Sequence, residues 1–271
     1  MKIRVVTLCS GYDSQCLALE RLKENFPDFD YELVAWAEID KYAIQAHNAL
    51  FPQWADRNVG DITTCDWSDI KDIDLLCYST PCTSISNAGL QQGFKEGTGT
   101  ASSIIWSVRN AIKELKPKYL LMENVAAMVQ KKFINDFHDW QKAVEDFGYD
   151  NYTQVLNAKD YGVPQNRERV FMVSIRNDIG QQYHFPKPFK LEKRLKDILE
   201  TNVEEKYYLS DTMIKCFEKC TAIAKEKGNG FKFSPTDGGG CAKAITTCAG
   251  NRTDDNFIKE MLNEQEIAKD D

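Results

Sequence analysis

The chain has 271 residues, 42% hydrophobic and 28% charged, the balance of an ordinary globular protein that can bury a core. Its net charge of −7 excludes a uniformly basic nucleic-acid coat, although a local basic patch fits within that total. No apolar run approaches the ~20 residues of a membrane span. The nine cysteines contain no Cys-x-x-Cys pair and the three histidines (His47, His138, His184) stand far apart, so no metal site is expected.

The opening residues Ile3 to Cys9 form a short apolar run that enters a strand directly, without a secretory signal; a cytoplasmic location is expected. The small-residue turn Ser10-Gly11-Tyr12-Asp13-Ser14 comes next, then Cys16, Leu17, Leu19 and Leu22 at helical spacing. This strand, turn and helix open an α/β unit whose turn can approach a ligand at the helix N-terminus. The three glycines of the dinucleotide fingerprint are missing.

A second strand, Tyr31 to Ala37, ends in Glu38-Ile39-Asp40 before a helix near Lys41. An acid at that strand end is placed to hold ribose hydroxyls. Asp40 suits the helix N-cap, which leaves Glu38 for a ligand. Gly60-Asp61-Ile62 is a further turn carrying an acid.

Asp74 to Ser79 reads as a buried strand that runs into the Pro81-Cys82 turn. From these residues alone, Cys82 is either one more small buried side chain or a thiol delivered to the mouth of a site. Residues 87–100 carry four glycines and little apolar periodicity, a composition that suits a moving lid better than a packed element. A helix is predicted from Ser102 to Leu115, stopped by Pro117. The strand Tyr119 to Met122 then brings Glu123-Asn124-Val125 to the same sheet edge as Cys82, where open α/β sheets bind ligands.

Phe133 to Phe147 has the pattern of an amphipathic helix, and Tyr152–Leu156 and Val170–Ile175 read as strands. Arg167 and Arg169, at i and i+2 on the way into the last strand, share a face. They suit either a surface ion-pair ladder with Glu168 or a clamp for a carbonyl or phosphate oxygen. Local charge is basic from Lys159 to Lys196 and acidic toward Asp271. Pro186 and Pro188 mark a boundary, followed by one helical segment (Lys193 to Glu200), turn-rich sequence and short strand-like pieces such as Ala244–Thr247. Two regions are expected, 1–185 and 186–271.

"TPCTSIS" with "GLQQGF", "MENV" and "LNAKDYGVPQNRERVFMVSIR" resemble the nucleophile, Glu-Asn-Val and Gln-x-Arg-x-Arg motifs of the C5-cytosine-specific DNA methyltransferases, an S-adenosylmethionine-dependent family. "TLCSGYDSQCLALE", "AEIDKYA" and "GDIT" are similar to its donor-binding motifs, in the family's order. The resemblance covers roughly residues 3–176 and extends loosely to about 257.

It implies an α/β, Rossmann-like methyltransferase sheet in 1–185 and a small, irregular, partial target-recognition region in 186–271. It casts Cys82 as the nucleophile toward C6 of a flipped-out cytosine in double-stranded DNA. Glu123 would hold N3 and the exocyclic amine as a proton donor, Arg167 and Arg169 would stabilise O2 and orient the carboxylate, and the 87–100 loop would close behind the base. Toward the methyl donor, the Gly11 turn with Cys9 would face the methionine part and Glu38 the ribose. Ile39 would pack on the adenine, and Asp61, beside Ile62, would take its amino group. No metal is implied, and DNA methylation or restriction–modification is the implied setting.

Three departures from the family pattern stand out. Its Phe-x-Gly-x-Gly-Gly turn has Cys9, Gly11, Asp13 and Ser14 here, and Thr83 follows Pro-Cys where glutamine is frequent. The family's last two motifs, Leu-Thr-x-x-Glu-x-x-Arg and Gly-Asn-x-Val, are not found before Asp271, which leaves two expectations: a truncated or split enzyme whose missing motifs a partner chain can supply, or a pocket closed in another way. Two alternatives remain: a truncated or split, non-catalytic nucleic-acid-binding fragment, and a tRNA cytosine-C5 methyltransferase.

Overall fold

The computed structural model describes residues 2–86, 90–228, 232–245 and 252–259. They divide into two compact units, 1–156 with 169–186 and 157–168 with 187–271.

The first unit is built on a six-stranded sheet. Its strands are β1 (Lys2–Leu8), β2 (Asp30–Ala37), β3 (Leu75–Tyr78), β4 (Tyr119–Val125), β5 (Tyr149–Asn157) and β7 (Glu168–Arg176), in the order β2-β1-β3-β4-β7-β5. The four strands from β2 to β4 run parallel, and β7 pairs antiparallel with β4. Alternating side chains of β1 divide between two apolar clusters, as the two-residue period of a strand requires. Val6 and Leu8 join Leu76, Tyr78, Leu120 and Met122 on one side, while Val5 joins Leu33 and Trp36 on the other.

Helices follow from the same arithmetic. In α3 (Val108–Leu115) the buried residues are Val108, Ala111, Ile112 and Leu115, the one-sided stripe of an amphipathic helix. α4 (Ile134–Glu145) buries Phe137, Trp140 and Val144 in the cluster that also takes α3. α1 (Ser14–Asn25) contributes Cys16 and Leu19 to the other cluster, against which Ile44 of α2 (Lys41–Leu50) packs. Asp40 caps α2 by accepting from the N–H groups of Tyr42 and Ala43.

Two expectations change. The helix predicted from Ser102 starts as a 3-10 segment, Ala101–Ser107, and becomes α-helical only at Val108. Thr100 caps its first turn through Ser103 N–H, and the hydroxyl of buried Ser102 is tied to Ser84 N–H at 3.1 Å. The supposed lid is anchored over residues 90–100. Phe94 is fully buried, Trp106 Nε1 donates to Phe94 O at 2.8 Å, and Thr100 Oγ1 donates to Gly93 O. Gly93, at φ +85°, passes so close to α4 that a Cβ there would lie 3.1 Å from Asp136 Oδ2. Glycine-rich composition here serves a close approach; residues 87–89 lie outside the described residues.

In the second unit, β6 (Gln165–Asn166) pairs parallel with β8 (Ala242–Lys243), and Ala242 N–H donates to Pro164 O. That pairing carries 157–168 into the second unit. Asn157 Oδ1 accepts from Lys159 and Arg167 N–H, and its Nδ2 donates to Asn166 Oδ1 at 2.7 Å. The predicted helix over 193–200 is only a 3-10 turn, Leu195–Ile198, while a long helix that the pattern did not suggest, α5 (Asp211–Glu226), follows. α5 packs through Phe217, whose ring stands within 5.6 Å of Phe233 and of Phe257. The strand expected over Ala244–Thr247 lies partly outside the described residues, and the observed one is Ala242–Lys243.

Candidate active site

Strand register sets the site. Ala37 pairs with Leu8, Leu8 with Tyr78, and Tyr78 with Met122. The next residue of each strand is therefore Glu38, Cys9, Ser79 and Glu123, a row along the C-terminal edge of the parallel sheet. Chain order reverses between β1 and β3, the switch point at which open α/β sheets form a ligand crevice.

On the β1–β2 side an open cleft of about 140 Å³ is lined by Cys9, Ala37, Glu38, Ile39, Gly60, Asp61, Ile62, Pro81 and Ile104. Five of the six residues expected to face the methyl donor line it. The sixth, Gly11, donates its N–H to Glu38 Oε2 at 2.8 Å, while Glu38 Oε1 accepts from Ile39 and Asp40 N–H at 2.8 and 2.9 Å. Glu38 is thus not spare: three backbone donors fix its orientation, and the remaining lone pairs are left for a ligand.

Asp61 Oδ1 accepts from both the N–H and the hydroxyl of Thr63 at 2.8 Å. These bonds, the backbone one foremost, hold its carboxyl below the usual range. Cys9 is the opposite case. Burial, then the charges of Glu38 and Asp61, push its thiol up to about 12, so it contacts the cleft as a neutral group. Ile62 is buried and Ile39 is 68% exposed at the rim, an open apolar surface suited to a flat ring.

On the β3–β4 side, Cys82 begins a helical turn. Its carbonyl accepts from Ile85 N–H at 3.0 Å and Ser86 N–H at 2.8 Å, and Ile85 is fully buried, so the turn is pinned three residues beyond the thiol. Buried Asn124 reaches from the end of β4 and donates through Nδ2 to Thr80 O at 3.0 Å, two residues before Cys82. Gln15 Nε2 donates to Ser79 Oγ at 2.7 Å and ties α1 to the same strand end. Neither residue was singled out from sequence. Asn124 could have been, since an amide at a buried strand end needs partners.

Glu123 and Arg169 meet by register. Glu123 lies opposite Phe171 and Val125 opposite Arg169, which makes Glu123 and Arg169 diagonal neighbours on one face, within reach of long side chains. Arg169 Nε stands 2.9 Å from Glu123 Oε1. Arg167 belongs to the second unit, where its main chain is held by Asn157 Oδ1 and by Ala158 N–H. The structure therefore brings together Cys9, Gly11, Glu38, Ile39, Asp61 and Ile62 as one group and Glu123 with Arg169 as another, with Cys82 following the same sheet edge. Among the described residues no cluster of three or more His, Cys, Asp or Glu stands as a metal site, and no helix is long and apolar enough to cross a membrane.

The family described as C-5 cytosine-specific DNA methylase matches residues 3–269. Type II methyltransferase M2.ScrFI of Lactococcus lactis subsp. cremoris is 43% identical over 158 residues, 58% of this chain and 44% of the relative. Type II methyltransferase M.HhaI of Haemophilus parahaemolyticus is 34% identical over 210 residues, 77% of this chain and 60% of the relative. The chain spans about half the length of such relatives. Among solved structures, a DNMT2 mutant from Spodoptera frugiperda superposes with a TM-score of 0.69 at 19% identity, covering 98% of this chain and 77% of that one, a likeness of fold.

Proposed function

The chain belongs to the C-5 cytosine-specific DNA methylase family, and from that premise we propose that it transfers a methyl group from S-adenosylmethionine to C5 of a cytosine in double-stranded DNA. The observation that carries the reading is the row Glu38, Cys9, Ser79 and Glu123 along one sheet edge, with Cys82 three residues past Ser79.

The cleft fits the donor on its own chemistry. Its lining holds two carboxylates, apolar walls and no lysine or arginine, which suits a cationic ligand without phosphates and disfavours a nucleotide phosphate. Bound there, S-adenosylmethionine supplies an electrophilic methyl group on a sulfonium. Glu38, oriented by Gly11, Ile39 and Asp40, is placed for ribose hydroxyls. Asp61 offers an ionised acceptor for an adenine amino group, and Ile39 and Ile62 offer apolar surface for the ring. Cys9 and Gly11 face the methionine end.

Cytosine C5 is too poor a nucleophile to be methylated unaided. In the proposed sequence the Cys82 sulfur adds its electron pair to C6, and the C5–C6 π pair moves onto C5, which becomes the nucleophilic carbon of an enamine. Once that pair is used in the bond from C5 to the methyl group, a base such as water takes the C5 proton, the C5–H pair becomes the C5–C6 π bond, and the sulfur leaves with the C6–S pair, restoring the aromatic ring. Glu123, held by Arg169, would hold N3 and the exocyclic amine. Charges fixed before the reaction stabilise what develops in it. A cytosine inside a duplex is out of reach of such a group, so the base must be flipped out.

A complementing polypeptide is part of the proposal. Tyr119 and Leu121 of β4 and Phe171 and Val173 of β7 are half-buried and stand outside both apolar clusters, an apolar sheet face for further chain to cover.

The test is trapping on duplex DNA carrying 5-fluorocytosine at the target position, whose fluorine cannot leave as the C5 proton does. With S-adenosylmethionine the wild type should form an adduct stable to denaturing electrophoresis, and Cys82→Ala should form none. An adduct that survives Cys82→Ala, or none with wild type, refutes the mechanism. A tRNA substrate labelled in preference to duplex DNA would transfer the same chemistry to RNA.

A further inference from the structure

The donor turn departs from the family pattern at Asp13, and the structure gives this residue surroundings that a glycine would not need. Asp13 is fully buried, as is His47, and its backbone is left-handed at φ +66°. A carboxylate is costly to bury without partners, and Asp13 has three polar contacts on three elements. Its Oδ2 accepts from Thr7 Oγ1 of β1 at 2.6 Å, its Oδ1 accepts from Cys16 N–H as the cap of α1, and His47 Nε2 of α2 stands 3.6 Å from Oδ2. That last separation is too long for a hydrogen bond, so the His47 ring packs against the Asp13 carboxyl without bonding to it.

His47 is held in turn by stacking on Trp36, with ring centroids 3.6 Å apart at 16°. Trp36 pairs with Thr7 across β1 and β2 and stands two residues before Glu38. The far side of the turn faces the donor cleft: Ser10 N–H donates to Ala37 O, and Gly11 N–H to Glu38 Oε2. One short turn is therefore fastened underneath by Asp13 and presents an N–H above to the carboxylate proposed for the ribose.

We propose that Asp13 is a positioning residue for the methyl donor. With Thr7 and His47 it fixes the Ser10–Asp13 turn so that Gly11 orients Glu38, the task that a turn of small residues performs by fitting closely. The inference rests on the donor reading of the cleft and adds the element that shapes it.

Calorimetric binding of S-adenosylhomocysteine to the full chain tests it. Asp13→Gly accepts the left-handed backbone but loses all three contacts, and is expected to raise Kd about tenfold, with KM for S-adenosylmethionine rising more than kcat falls. Asp13→Asn tolerates the same backbone and can keep the cap to Cys16 and a bond to Thr7, so it should stay within about threefold of wild type. Thr7→Val, which keeps shape and deletes the hydroxyl, should weaken binding about threefold and carries the test if Asp13→Gly fails to fold. Wild-type affinity in Asp13→Gly or Thr7→Val, or Asp13→Asn as weak as Asp13→Gly, overturns the inference. A wild-type chain that binds no S-adenosylhomocysteine overturns the donor reading itself, and the inference with it.

Discussion

The two halves of the site hold their carboxylates by different means. On the donor side, Glu38 is fixed by three backbone N–H groups and Asp61 by the N–H and hydroxyl of Thr63. On the nucleophile side, Glu123 is paired with a guanidinium from an antiparallel strand. Backbone donors sit within a few residues and cannot swing away. A side-chain partner depends on the register of two strands 46 positions apart in sequence, and it brings a full charge. Under the proposed function, the fixed backbone donors suit recognition of a bound ligand, and the ion pair suits charge that changes during reaction.

Removing the charged partner should therefore cost most. Glu123→Gln keeps size and one acceptor but loses the ion pair with Arg169, and kcat is expected to fall about 10²- to 10³-fold, with donor affinity measured by calorimetry unchanged. Equal losses in donor affinity and kcat would break the division between the two halves.

A smaller effect is expected one residue on. Asn124→Ala leaves Thr80 O without the amide that it accepts from, and an abandoned buried acceptor costs roughly 1–3 kcal/mol. Urea unfolding should show that loss. Because the same bond sets the backbone before Cys82, 5-fluorocytosine trapping should also slow. Lost stability with unchanged trapping would make Asn124 a purely structural clamp.

The same contrast explains which parts of the molecule were legible in the sequence. Asp40 as an N-cap and Glu38 beside it are local relations over a few residues, and both were readable, although the three N–H groups that occupy Glu38 were not. The strands from β1 to β4 are legible as apolar runs that end in a small-residue turn, an acid or Pro-Cys. The Glu123–Arg169 contact is diagonal and needs the β4–β7 register, which no spacing supplies. The loop from Leu90 to Thr100 is not legible as a packed element, because its one buried side chain, Phe94, stands among glycines and its other anchors are main-chain bonds. α5 was missed because its inward residues, Ile214, Phe217, Thr221 and Ala224, are only half-buried and alternate with exposed Met213, Cys216 and Cys220.

On the donor side, Glu38→Gln should weaken S-adenosylhomocysteine binding by about tenfold and also lower the melting temperature slightly. The amide's single carbonyl oxygen can accept from Gly11 N–H or from Ile39 and Asp40 N–H but not from both sides, and it offers a ribose an uncharged, weaker partner. A fall in stability with unchanged affinity would mean that Glu38 serves the turn and not a ligand.

The smallest effect should come from the opposite end of the sheet, where Asp74 borrows both devices at once. Its Oδ2 accepts from Arg4 N–H at 2.8 Å, a backbone donor, and its Oδ1 from Lys118 Nζ at 2.7 Å, a charged side chain, so one carboxylate ties together the starts of β1, β3 and β4. Burial works to raise its pKa, but the bonds to Lys118 and Arg4 outweigh burial and the carboxyl is held below its ordinary value. Asp74→Asn should cost about 1 kcal/mol, the net worth of a typical hydrogen bond. The sign with pH follows from the depressed value. Native-state stabilisation by Asp74 is fully present above the unfolded pKa of about 3.9 and is lost as pH falls through the folded one. Urea midpoints of wild type and variant should therefore differ by a constant amount at neutral and mildly acidic pH, and converge only under strong acid. A difference that persisted unchanged into strong acid would show that the backbone bond, and not the ionised pair, holds this end of the sheet.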